Sequence, residues 1–260
     1  MNLEIRRMLI RVTRMALLII QLVLVVLLIH SVFINFSSSV GTPQENMSFD
    51  QWYGNWMVAA TTTIGLLLAV FLLTKPRKPK EWKGVGVMAA FFISLFTEMY
   101  GIPLTIYLVA PILGVEPKTF GMYESHLWAY LLSRAGLMPL ETGVNLVMLV
   151  STALVVLGFS LLAFGWKKVY RGRGQLVTTG LYRRFRHPQY LGLILIVVAF
   201  LIMWPTILTI LLAPFLIVRY ILLAREEDRE LEKEFGEDFR RYRDRVRPFI
   251  PSMWGQTLTS

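Results

Sequence analysis

Apolar residues run along this chain in long continuous blocks rather than in the alternating or one-sided stripes of a soluble domain. Blocks lie near 13–36, 56–74, 84–112 and 142–166, and a last one runs from Pro188 to Ala224. About 20 residues of helix, rising 1.5 Å each, cross a hydrocarbon layer of about 30 Å. The last block is about 37 residues long, too long for one crossing and suited to two, with a turn near Trp204-Pro205. The pattern predicts an all-α polytopic membrane bundle of about six spans, with a C-terminal helical hairpin and a charged tail helix over 225–247. Met15 to Phe36 exceeds the length of a signal h-region despite the basic Arg6, Arg7, Arg11 and Arg14 before it and the small residues Ser37-Ser38-Ser39 after it. It reads as a retained first helix.

Composition agrees: hydrophobic residues make up 55% of the 260, charged residues only 17%, and the mean hydropathy is +0.55. The net charge of +10 does not imply nucleic acid, because the basic residues gather in short loops between apolar blocks. Arg6 to Arg14, Lys75 to Lys80 and Lys167 to Arg186 are dense in positive charge, whereas 37–56 has no Lys or Arg and 113–141 has only Lys118 and Arg134. By the positive-inside rule this places both termini in the cytoplasm. With no cysteine, disulfides, zinc-thiolate sites and thiol nucleophiles are excluded. Between spans, residues 115–140 carry Phe120, Tyr123, His126, Trp128 and Tyr130, which suits the outer interface. The tail spaces Glu226–Arg229 and Glu230–Lys233 for i,i+3 pairing.

Three polar groups stand out against this background. In Arg186-His187-Pro188-Gln189-Tyr190, Pro188 suits the first turn of a span, with His187 near the N-cap and Tyr190 one turn in. The free N–H groups of such a helix start receive a carboxylate or phosphate, unless the residues form only an interfacial anchor. Arg225-Glu226-Glu227 lies at the returning end of the hairpin, at the same membrane level. One of the two adjacent acids can point into a shared pocket and suits an ammonium or sulfonium; the alternative is the start of a solvated helix. Glu98 lies in the middle of the third block, where an ionisable group costs at least ~2.5 kcal/mol and needs a partner or a proton. Candidate partners are His126, Arg134 and Glu124. Glu98 is read either as part of an acceptor-binding site or as a structural group bonded to backbone near Pro103. A metal site is not indicated, since one Glu and one His lack ligands.

The run Gly180-Leu-Tyr-Arg-Arg-Phe-Arg-His-Pro-Gln-Tyr-Leu-Gly192, followed by Glu226-Glu227, Leu231, Phe235-Gly236, Tyr242, Val246 and Phe249-Ile250-Pro251, resembles the integral-membrane methyltransferases. These include the isoprenylcysteine carboxyl methyltransferases and the phospholipid N-methyltransferases. The resemblance covers about 141–251, within a core of 84–260 that follows a two-span extension over 1–83. It implies a cytoplasm-facing S-adenosylmethionine pocket capped by the C-terminal tail. Gly180, Tyr182, His187 and Tyr190 would line the cofactor, and Glu226 or Glu227 would hold its charged amino-acid end or ribose. A lipophilic acceptor would enter from the bilayer. Arg186 or Arg225 would steer a carboxylate acceptor, and an amine acceptor would need a nearby base; Glu98 lies outside the resemblance. Two other readings compete: an NADPH-dependent membrane reductase of related fold, and a non-enzymatic transport or structural subunit.

Overall fold

The computed structural model describes residues 46–74, 79–171 and 174–251. The expected first span, the basic N-terminal residues and the loop 75–78 lie outside them. Eight α-helices follow in order: α1 (Phe49–Trp52), α2 (Trp56–Thr74), α3 (Pro79–Phe96), α4 (Leu104–Ile112), α5 (Leu127–Arg134), α6 (Leu140–Arg171), α7 (Pro188–Met203) and α8 (Ile207–Arg245). No strand occurs among the described residues, as the apolar blocks predict. By length and apolarity, Gly84–Gly101, Leu140–Gly165 and the helix Ile207–Arg245 can each cross a membrane; Trp56–Leu72 and Pro188–Met203 are shorter apolar helices. Three crossing-length helices are thus described, and the expected count of six is not carried further.

α7 is the centre of the bundle. It packs on α6 along one side and on α8 along another, while α3 packs on α8. Glycine permits the α6–α7 contact. A Cβ on Gly192 would lie 2.5 Å from the Gly158 carbonyl oxygen, and one on Gly158 would lie 2.8 Å from the Gly192 carbonyl oxygen. Backbone therefore meets backbone, the arrangement that small residues allow where no hydrophobic effect drives helices together. Farther along α6, Gly165 faces Pro188 and Gln189 at the start of α7. On the other flank of α7, Phe200 meets Phe92 and Phe96 edge-on, with ring centroids 5.5 and 5.8 Å apart.

Two boundaries differ from the sequence reading. The third block is not one helix: α3 gives way to a π-turn over Thr97–Gly101, and α4 begins after Pro103. Pro103 has no N–H to continue the ladder and drives the preceding Ile102 out of the helical region to φ −110°, ψ 113°. The charged tail, in turn, is not a separate helix. α8 runs on from the membrane segment through Glu226 and Glu227, and its reversal comes at Gly236 (φ 54°, ψ −121°). Only glycine adopts that geometry readily. A 30 Å crossing that starts at Ile207 is complete after about 20 residues, near Glu227. The carboxylates therefore begin where α8 leaves hydrocarbon.

The hairpin turn is built from capping. Pro205 ends α7, and Thr206 caps α8 in a reciprocal box with Thr209, whose N–H lies 3.1 Å from the Thr206 hydroxyl. Replacing Gly192 with Val forces the α6–α7 backbones apart and is expected to destabilise the protein by about 1–3 kcal/mol. Gly86→Ala, where an added Cβ meets nothing within 4 Å, serves as the control in thermal denaturation of the detergent-solubilised protein.

Candidate active site

At the end of the bundle where α7 begins, a short 3₁₀ turn (Gly180–Arg183) precedes α7, and the chain enters the helix through Pro188 at its first position. Gly180 opens that turn at φ 68°. The turn seats Tyr182, which is buried and donates its hydroxyl to Gln189 Oε1 at 2.9 Å. That bond directs the Gln189 amide nitrogen to Glu227 Oε2, 3.3 Å away on α8. His187 is 1% exposed, and its ring lies between two consecutive acids of α8. Nε2 is 2.8 Å from Asp228 Oδ1, and Nδ1 is 3.5 Å from Glu227 Oε2. The second Asp228 oxygen accepts from Arg186 Nη1 at 2.8 Å.

Burial pulls the His187 pKa down, but the hydrogen bond to Asp228 and the charges of Asp228 and Glu227 outweigh it and hold the imidazole above its ordinary value. Burial pushes the Tyr182 phenol up, so it stays a neutral donor. An aromatic column extends from the same ring: Phe249 at 6.3 Å on one side, then Tyr190 at 5.8 Å, with Tyr220 stacked on Tyr190 at 6.4 Å.

The chain beyond Gly236 folds back over this cluster. Glu232 ties the returning segment by accepting from Arg240 Nε and Arg243 Nη1, both at 2.8 Å. Phe239, Tyr242 and Val246 pack together against Leu176, Leu231 and Phe235. Tyr242 donates its hydroxyl to the Tyr182 carbonyl at 2.6 Å. The N–H groups of Arg186 and His187 donate to the carbonyls of Arg247 and Pro248 at 3.0 and 3.2 Å. These two donors at the entry to α7, expected to be open to an anion, are therefore taken by the chain's own C-terminal strap. The cavity there measures about 260 Å³, and its walls include Tyr182, Arg186, His187, Glu227, Asp228 and Tyr242.

Of the residues singled out from sequence, Tyr182, His187, Glu227 and Arg186 come together at this cavity. Gly180 and Tyr190 stand beside it, in the turn and in the aromatic column. Between the adjacent acids, Glu227 forms part of the wall, whereas Glu226, half-buried, lies one position outside it. Arg225 is exposed on α8, outside the wall, and Arg186 is held by Asp228 rather than open to steer an acceptor. Sequence reasoning missed Asp228, the third acid of Glu226-Glu227-Asp228, and the role of Gln189, between Pro188 and Tyr190. Two adjacent acids do both reach one ring here, because His187 wedges between them and offers a nitrogen to each.

Glu98 belongs to the opposite end. It is 2% exposed, and its Oε2 accepts the Thr105 N–H at 2.7 Å, satisfying the start of α4 across the Pro103 break. Thr105 Oγ1 accepts in turn from the N–H of Ile207, the first residue of α8, at 2.8 Å. The partners expected for Glu98 bond elsewhere. His126 Nδ1 lies 2.9 Å from the Met122 carbonyl, Arg134 donates to the Leu113 carbonyl, and Glu124 accepts from Asn46. The His126 ring also packs edge-on against Trp204, 4.8 Å away. From Ile207 to Glu227 is twenty residues of helix, about 30 Å, so Glu98 does not meet the cavity.

Residues 135–238 match the family model for phospholipid methyltransferase. The match spans α6, α7 and α8 to just beyond the Gly236 reversal, and it bears out the resemblance to integral-membrane methyltransferases. No curated protein and no solved structure matches the chain. Among the described residues no cluster of three or more His, Cys, Asp or Glu side chains is arranged to hold a metal ion.

Glu98→Leu leaves the Thr105 N–H without its acceptor and is expected to destabilise the fold by about 1–3 kcal/mol. Glu98→Gln retains an oxygen for that N–H and should preserve the melting temperature. Thermal denaturation of the two variants side by side checks this.

Proposed function

We propose that the chain transfers a methyl group from S-adenosylmethionine to a lipophilic acceptor at the cytoplasmic membrane face. The carrying observation is the cavity of about 260 Å³ in which a buried histidine lies between two carboxylates, within the segment that matches the phospholipid methyltransferase family. The residues fit such a cofactor. His187 Nδ1 is buried without a hydrogen-bond partner, and Glu227 is a carboxylate at the rim of hydrocarbon suited to a cationic group. Glu227, His187 and Tyr182 would hold the cofactor.

When bound, S-adenosylmethionine supplies an electrophilic methyl group on a sulfonium. In-line transfer requires alignment and exclusion of water more than a strong acid or base, and this chain's residues provide for both. The Tyr182–Gln189–Glu227 chain fixes the carboxylate, and Phe239, Tyr242, Leu231 and Phe235 close the aqueous side. The acceptor, an isoprenylcysteine carboxylate or a lipid headgroup, arrives from the bilayer between helices. The positive charge of the loops supports a cytoplasmic position for this end of α7 and α8 and for both termini.

S-adenosylhomocysteine at a hundred times its Kd is expected to stabilise the detergent-solubilised protein by about 2.7 kcal/mol. His187→Ala and Glu227→Gln should lose that stabilisation, each weakening binding by about tenfold or more. Absence of any shift with the parent protein at millimolar ligand would remove the methyl-donor assignment. Incubation with native lipid extract and labelled cofactor then identifies the acceptor through the labelled product.

A further inference from the structure

The methyl-donor reading leaves one interaction of the cluster without a role. Asp228 holds two cationic or proton-bearing groups at once, with one oxygen 2.8 Å from His187 Nε2 and the other 2.8 Å from Arg186 Nη1. Arg186 has no acceptor capacity, so its partner must be an oxygen. A carboxylate has only acceptors to offer, so His187 must bring a proton to it on Nε2. The other nitrogen, Nδ1, is buried, has no hydrogen-bond partner, and lies 3.5 Å from Glu227 Oε2. With the ring neutral, two acceptors lie 3.5 Å apart, close enough for one donor group beside them to bond both.

We propose that Asp228 is a positioning residue: by taking the Nε2 proton of His187, it turns Nδ1 and the Glu227 carboxylate into a paired acceptor for a cationic, hydrogen-bond-donating group of the bound ligand. The proposal rests on the methyl-donor reading and assigns the ligand's ammonium group to this pair of acceptors. A proton on Nδ1 competes for the same place, so binding strengthens as pH rises through the titration of His187. The groups facing that ring are Asp228 and Glu227 from α8, Tyr190 from α7 and Phe249 from the strap, with Arg186 behind Asp228; Tyr182 and Tyr242 complete the cavity. Near neutral pH the group that exchanges a proton here is the imidazole of His187.

The test combines ring ¹⁵N NMR with binding of S-adenosylhomocysteine. The chain has three histidines, so His187→Gln assigns the signal. The neutral ring is expected to carry its proton on Nε2, and the Kd for S-adenosylhomocysteine to rise about tenfold per pH unit below the His187 midpoint. In Asp228→Asn the single amide oxygen stays with Arg186, and the NH₂ faces Nε2. The ring proton then moves to Nδ1, and affinity is expected to fall about tenfold to a hundredfold at every pH. A neutral parent ring protonated on Nδ1, or an Asp228→Asn protein that binds as the parent does, overturns the positioning role. If Asp228→Asn does not fold, the tautomer of the parent decides the question alone. A parent protein that binds no S-adenosylhomocysteine at any pH sinks the methyl-donor reading instead, which separates the two failures.

Discussion

The close approach of α6 and α7 at Gly158 and Gly192 is the contact on which the remaining geometry depends. In lipid, apolar side chains gain little by leaving their surroundings, so helix association relies on backbone proximity and dispersion. Once those two backbones touch, Gly165 lies against Pro188 and Gln189, and the entry to α7 has a fixed position. Tyr182 then reaches Gln189, and Gln189 reaches Glu227. The polar cluster is thus aligned by an apolar contact about one to two helical turns away.

The two ends of the bundle use carboxylates in opposite ways. Glu98 repairs a defect: Pro103 interrupts the helix, and the side chain replaces the acceptor that the Thr105 N–H would otherwise lack. That repair also reaches the N-terminus of α8 through Thr105 Oγ1. Glu227 and Asp228 instead surround a buried imidazole beside a cavity. The same side-chain chemistry, about 30 Å apart, serves backbone closure at one end and ligand recognition in our proposal at the other.

Much of the helical architecture is legible in the apolar blocks, and the hairpin at Trp204-Pro205 follows from block length and a proline. The meeting of His187 and Glu227 was foreseeable because a helical hairpin returns its ends to one level. The details that escaped depend on local geometry. Glu98 is served by a residue seven positions along the same segment, a partner that exists only once the helix has broken. Asp228 was hidden because consecutive helical residues diverge by about 100°, and only an imidazole inserted between them joins their directions. The fold-back at Gly236 left a single glycine as its signal, and the Glu232 ties to Arg240 and Arg243 skip eight and eleven residues, spacings that no straight helix brings together.

The strap that pairs Arg247 and Pro248 with Arg186 and His187 also imposes an order of events during biosynthesis. Every membrane helix described here is translated before the residues that wall the cavity from water. A nascent chain can therefore insert and pack α6 and α7 while the cluster at His187 is still open to solvent. The strap can cover the site only after the segment beyond Gly236 has left the ribosome.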